Sequence, residues 1–303
     1  MIMFFWAITT SISSSLEGED YFPGIVFAGQ FGSIAGPLLV SFIDKVPIQD
    51  ILMLPLSAIF IVPIGMSAVL KFFSRSSSVQ AFEQEDRPSV LAGIKLVKAN
   101  PYALGILGIT SLHEIISTII DFEMKYLASK TFNSPEMFAS FMSNYGMTVN
   151  IFTLILSLIG TKTMVKKIGI KHCLIIYPSI VCALIVTIFV HPSLGVLFVS
   201  LVIFKVFNYG INNPAKEILY IPSDADTRYK AKAWNDTIGP RGAKVIGSLV
   251  TNALKHSFNQ LLYFGSLFSV LILGFWFYIA SRVGQKFNQL DNRNIQNNVV
   301  GNK

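Results

Sequence analysis

Charge is what this sequence has least of. Of its 303 residues only 14% are Asp, Glu, Lys or Arg, while 52% are hydrophobic, and the mean hydropathy is +0.57. A soluble domain carries about 25% charged residues, so the composition excludes an ordinary water-soluble globule and predicts a membrane protein. Cysteine is scarce too: Cys173 and Cys182 sit on one predicted helix, about 13 Å apart along its axis. They cannot pair without distorting that helix, so no redox compartment follows. Zinc-ligand spacing, H-E-x-x-H, the P-loop and G-x-G-x-x-G are all absent. No cofactor or metal is expected, and nothing in the pattern points to an enzyme. His113, His172, His191 and His256 are scattered without a partner pattern. A basic start is missing as well. A secretory leader wants one, but Met1-Ile2-Met3-Phe4 opens the chain as though inside a helix.

Long hydrophobic runs are what the chain has in place of charge. A spanning helix needs about 20 apolar residues, and about nine stretches approach that length. They lie near 1–14, 22–43, 51–71, 101–125, 136–161, 172–190, 194–212, 233–253 and 259–281. Gly29, Gly32 and Gly36 have the small-xxx-small spacing of a helix-packing face and not that of a phosphate loop. Between the third and fourth runs the composition shifts to a Ser-rich, then acidic, then basic amphipathic stretch with Lys95 and Lys98. The expected organisation is therefore a helical N-terminal part at 1–72, a linker at 73–98, a six-helix part at 99–282, and a disordered tail at 283–303. The loops at 72–98, 162–171, 213–232 and 282–303 hold most of the Lys and Arg, which places the linker and C-terminus on the cytoplasmic side. Those loops also account for the net charge of +7 without a nucleic-acid partner. Asn235-Asp236-Thr237 matches a glycosylation sequon at a cytoplasmic membrane entry, where the match is chance.

Ions inside a membrane are expensive, about 2.5–3.5 kcal/mol each on insertion scales, so their placement matters. Glu114, Ser117, Thr118, Asp121 and Lys125 form one helical stripe, which should line the bundle interior. Lys205, Asn208, Tyr209 and Asn212 share a face of another run, and Thr237, Arg241, Lys244 and Ser248 share a face of a third. Ser140, Asn144 and Thr148 make a further stripe. The candidate binding set is three cations, Lys205, Arg241 and Lys244, with Glu114, Asp121 and Asn208. Such donors in a low-dielectric cleft suit an anion. Snorkelling to headgroups is the alternative for Arg241 and Lys244, snorkelling or a structural pair with an acid for Lys205, and a helix-end charge for Asp121, Glu123 and Lys125.

The run N-P-A-K-E-I-L-Y-I-P, then D-T-R-Y-K-A-K-A-W-N-D, then G-A-K-V-I-G-S resembles the ATP/ADP translocase family of plastids and intracellular bacteria, which is unrelated to the mitochondrial carrier. Trp234-Asn235 and Val245-Ile246 depart from the nucleotide-carrying pattern. The resemblance implies an all-α polytopic membrane protein of about nine transmembrane helices in a major-facilitator-like 3 + 6 arrangement, lacking the first three helices of a fuller bundle. It implies nucleotide (ATP, ADP) exchange by alternating access in a multi-pass membrane, the inner membrane of a bacterium. It also assigns the family's membrane lysine to Lys244 within Gly242-Ala243-Lys244. The family's acid, spaced before a lysine, falls on Asp121 with Lys125. Two other readings stand beside it: a carrier of a different anionic metabolite, proton-coupled through Glu114 or Asp121, and a non-transporting remnant that associates with a missing half or oligomerises.

Overall fold

The computed structural model describes residues 32–38, 53, 56, 90–220, 222–223 and 231–301. Among them the chain is all-helical. The helices are α1 (Val90–Ala99), α2 (Pro101–Thr131), α3 (Pro135–Ile168), α4 (Ile170–Val190), α5 (Leu194–Phe207), α6 (Asn213–Leu219), α7 (Lys232–Leu254) and α8 (Phe258–Gly301), with a π-helical turn at Asn208–Asn212 joining α5 to α6. The runs expected at 1–14, 22–43 and 51–71 lie largely outside the described residues.

Contacts divide the chain into two units, Met1–Arg87 with Ser134–Asn150, and Pro88–Asn133 with Ile151–Lys303. In the first, residues 32–38 are helical. Ser143 donates from its hydroxyl to the Pro37 carbonyl, and Asn150 donates from its amide to the Ser33 carbonyl. A Cβ added at Gly32 or Gly36 would meet nothing within 4 Å, so the expected glycine packing face closes on no neighbour there among the described residues.

The second unit is built around α2, which packs against α1, α5, α7 and α8. Its start is fixed locally. Asn100 caps it, its side-chain oxygen accepting from the backbone N–H groups of Tyr102 at 3.0 Å and Ala103 at 3.4 Å, and Pro101 follows at the first turn where a missing N–H costs nothing. α4 begins after Gly169, whose φ of +80° is one that side-chain-bearing residues rarely adopt. α7 lies on α2 through a ridge with a residue every fourth position: Asn235, Gly239, Ala243, Gly247 and Thr251 are buried. Small residues let two helix backbones approach, and a Cβ at Gly247 would stand 2.8 Å from Thr118 Cβ. α8 closes on both α2 and α4.

Where α2, α4, α5 and α8 meet, His113, Tyr177, Phe204 and Trp276 form the centre of the core, each at most 1% exposed. His113 stacks on Phe204 with ring centroids 5.0 Å apart, and the Tyr177 hydroxyl lies 3.0 Å from His113 Nδ1. The surface inverts the usual arrangement. Phe189, Val190, Leu249, Leu267, Leu271 and Phe275 are exposed, an apolar exterior that water would not tolerate and a lipid phase does.

Four helices among the described residues are long and apolar enough to cross a membrane: α2, α4, the continuous α5–α6 helix from Leu194 to Leu219, and α8. The structure differs from the sequence expectation in four places, the first being that α3, expected as the span 136–161, is not one of these four helices. The span expected to end at 212 continues to Leu219 through the π turn. α7, expected as a span, has 23 residues but is not one of the four, because it carries Lys232, Asp236, Arg241 and Lys244. The stretch read as a disordered tail is helical to Gly301. Extending an anchored helix adds one hydrogen bond per residue without a new nucleus, and Val283 and Phe287 are buried on it.

Candidate functional site

The polar stripe of α2 is the feature on which other helices converge. From α5, Lys205 donates from Nζ to Ser117 Oγ at 2.7 Å, and its ammonium sits 5.8 Å from the Phe204 ring centroid. From α7, Lys244 places Nζ 3.6 Å from Glu114 Oε2. Glu114 and Ser117 are one turn apart on the same face, so two lysines from two helices reach one strip of α2. Thr118, on the next turn of the same stripe, donates to the Glu114 carbonyl at 2.7 Å.

The remaining candidates are placed differently. Asp121 pairs with Lys125 at 2.5 Å, four residues along its own helix. Asn208 is buried in the π turn, and its Oδ1 accepts from Asn212 Nδ2 at 2.8 Å. Arg241 is exposed on α7, outside the small-residue ridge that packs on α2. Lys244 lines a cavity of about 570 Å³ with Phe122, Ser248, Thr251, Asn252 and Lys255, among others, and Arg241 is not in its wall. That size falls within the ~300–1,000 Å³ of small-molecule sites. Neither Lys205 nor Asn208 is in its wall.

The π turn explains why the face Lys205–Asn208–Tyr209–Asn212 does not survive intact. Pro214 has no N–H for the Gly210 carbonyl, and its ring would press on that carbonyl in a regular α-helix. The backbone widens instead, with the Asn213 N–H bonding to the Asn208 carbonyl. Asn208 and Asn212 then turn inward while Tyr209 is 46% exposed. Gly210 lies so close to Leu156 that an added Cβ would clash with its side chain. Asn213-Pro214 after a lysine-bearing apolar run was the available sign of this irregularity.

Sequence reasoning missed three further residues. Glu123, treated as a helix-end charge, is 2% exposed and faces a small enclosed space lined by Ile120, Ile185, Ile188, Ser266 and Ser269. His113, treated as incidental, holds Tyr177 in the core. Asn235, set aside as a departure from a pattern, is fully buried and donates to the Ala103 carbonyl at 3.1 Å and the Tyr220 hydroxyl at 3.0 Å. Tyr102 ties the same corner, donating to the Leu219 carbonyl at 2.7 Å. Outside it, Lys232 pairs with Glu217 at 2.5 Å.

An apolar exterior, several helices long and apolar enough to span, and a charged strip on α2 define a multi-pass helical membrane protein. No family model matches the chain, and no solved structure does. Among curated proteins it is 20% identical to ADP,ATP carrier protein 1, chloroplastic, of Arabidopsis thaliana, over 94% of this chain and 51% of the relative. It is also 20% identical to ADP,ATP carrier protein 4 of Rickettsia bellii, over 95% of this chain and 64% of the relative. Plastidic ATP/ADP-transporter of Solanum tuberosum is 22% identical over 67% of this chain. The chain is thus a distant homologue of the plastid and rickettsial ADP,ATP carrier proteins, and it spans about half the length of the first of them.

Proposed function

We propose that the chain serves a transporter that exchanges nucleotides of the ATP and ADP class across a membrane by alternating access. The observation that carries this reading is the approach of Lys205 and Lys244, from two helices, to one strip of α2. Ammonium groups at the membrane interior are retained only where something anionic repays their desolvation. The distant likeness to ADP,ATP carriers supports a nucleotide as that anion. On this reading Lys244 and Lys205 meet the phosphates, and Glu114 and Ser117 hold the lysines when the site is empty. Asp121 and Lys125 form a second pair on the same stripe. Exchange follows if reorientation is easy only when an anion neutralises the lysines.

The test is uptake of labelled ATP by proteoliposomes preloaded with ADP, ATP or buffer. Uptake that requires internal nucleotide supports the proposal. Uptake driven by a proton gradient and indifferent to internal nucleotide would assign the chain to carriage of another anionic metabolite, with Glu114 or Asp121 as the acid. Absence of uptake and of nucleotide binding would leave it as a non-transporting homologue.

A further inference from the structure

A second cavity lies at the opposite end of α2, away from the proposed substrate strip. It is a groove of about 1110 Å³ between the first turns of α2 and the C-terminal part of α8. Its deeper wall is apolar, formed by Leu104, Leu107, Phe275 and Ile279. Its other end is polar and basic: Arg282 and Lys286, one turn apart on α8, face Asn100 at the α2 cap across the same groove. The two ends sit at different depths. The apolar run of α8 stops at 281, so Phe275 and Ile279 belong to the hydrocarbon level and Arg282 and Lys286 to the headgroup level. Tyr278, 57% exposed, carries the Arg282 guanidinium 5.4 Å from its ring centroid, which holds that fork at the rim. Lys95 and Lys98 of α1 are exposed just ahead of the cap, adding positive potential at this end.

We infer that this groove binds an anionic phospholipid, with an acyl chain along the apolar wall and the phosphate between Arg282 and Lys286. The match is one of charge and depth together: an apolar channel that opens at the interface onto two cations fits a molecule with a long apolar tail and an anionic head. Basic pockets between helices at the interface take such headgroups. A soluble anion gains nothing from Leu104 or Phe275, and a neutral lipid gains nothing from the cations. The inference does not rest on the transport reading, since none of these residues belongs to the Lys205–Lys244 strip.

The experiment uses the full chain in nanodiscs of phosphatidylcholine with and without phosphatidylglycerol, reading melting temperature and the lipids retained in native mass spectrometry. Phosphatidylglycerol should raise the melting temperature and remain bound. The double variant Arg282→Gln, Lys286→Gln should melt like the parent in phosphatidylcholine alone and bind phosphatidylglycerol roughly thirtyfold more weakly, from about fivefold for each cation near an anionic surface. Arg282→Lys, Lys286→Arg keeps the charges and should keep most of the binding. The inference is overturned if phosphatidylglycerol has no effect, if the Gln variant responds as the parent does, or if inorganic phosphate reproduces the shift. It is equally overturned if the groove instead joins two copies of the chain and the Gln variant abolishes the dimer.

Discussion

Lys244 and Glu114 face each other at 3.6 Å, the lysine side chain 61% exposed and the glutamate 20%. A charge-assisted hydrogen bond closes to about 2.7–2.9 Å, so this pair is an electrostatic contact short of a clasp. Its stabilising effect is that of a partly exposed ion pair, about 0–1 kcal/mol. The ammonium is left able to turn toward a second anion in the adjoining cavity. On the proposed transport reading, Glu114 would stand where a substrate oxyanion acts and would compete with it for Lys244.

That competition predicts opposite effects at the two ends of the pair. Glu114→Gln removes the internal anion and should tighten ATP binding, by several-fold up to about tenfold if the pair contributes about 1 kcal/mol. The melting temperature should stay near that of the parent. Calorimetric titration decides it: weaker binding in Glu114→Gln would mean the carboxylate orients Lys244 for substrate and does not compete with it.

The α2–α7 contact predicts a contrast between two glycines. At Gly247 a Cβ would stand 2.8 Å from Thr118 Cβ and 3.1 Å from the Ile115 carbonyl, whereas at Gly242 it would meet nothing within 4 Å. Gly247→Ala should destabilise by about 1–3 kcal/mol through overpacking. Gly242→Ala should be neutral or stabilise, because alanine favours a helix interior by about 1 kcal/mol over glycine. Equal melting temperatures for the two variants would remove the close packing of these helices.

Asn235 predicts a larger loss. Asn235→Leu leaves the Ala103 carbonyl and the Tyr220 hydroxyl without its amide in a buried corner. Each unsatisfied group costs about 1–3 kcal/mol, and leucine is larger than the fully buried asparagine it replaces. Low yield of folded protein is expected, with partial recovery in Asn235→Ser. Parent-like yield and melting temperature for the leucine variant would show the corner to be loose.

Most of the helical content was legible in the sequence, and the reason is length. Runs near 20 apolar residues declare themselves, and 101–125, 172–190 and 194–212 each lie within a described helix that extends beyond them. Side-chain periodicity was equally reliable while the helix stayed regular: Glu114, Ser117 and Thr118 do share a strip that Lys205 and Lys244 approach. The reading failed where the backbone changed pitch. The π turn displaced Tyr209 from the face it shares with Lys205 on a regular helix, a shift no fixed period can anticipate. It failed again where function and packing compete for one helix. α7 packs on α2 through its small residues, so Lys244 reaches Glu114 only from beside that ridge and Arg241 is carried outward. Glu123 and His113 were beyond reach because burial is a property of neighbouring helices, and nothing local distinguishes a helix-end acid from one sealed under α4 and α8.

Glu123 carries its own prediction. It is 2% exposed, with Gly265 so near that an added Cβ would stand 3.0 Å from Oε1, and no salt bridge engages it among the described residues. A buried ion without a partner costs far more than a neutral group of the same shape. Glu123→Gln should therefore be tolerated or raise the melting temperature in detergent, and Glu123→Lys should prevent folding. A drop of several degrees in the Gln variant would show that the acid makes contacts an amide cannot replace.

Lys244 is the sharpest test of the proposed site. If its ammonium contacts substrate phosphate, Lys244→Gln loses a charge-assisted hydrogen bond, about 1.5–3 kcal/mol, and nucleotide exchange should fall roughly ten- to a hundredfold with insertion into the membrane unchanged. Lys244→Arg keeps the charge but replaces a point donor by a planar fork, so partial exchange should remain. The choice of control follows from the cavity. Lys255, near the other end of α7, lines the same cavity as Lys244 and is no bystander, so Lys255→Gln should weaken exchange as well, though less. Lys95, exposed on α1, is the better reference, and Lys95→Gln should exchange like the parent. Parent-level exchange by Lys244→Gln in proteoliposomes that exchange ATP for ADP would place the substrate elsewhere. The Lys244–Glu114 pair would then be no more than a surface contact on α7.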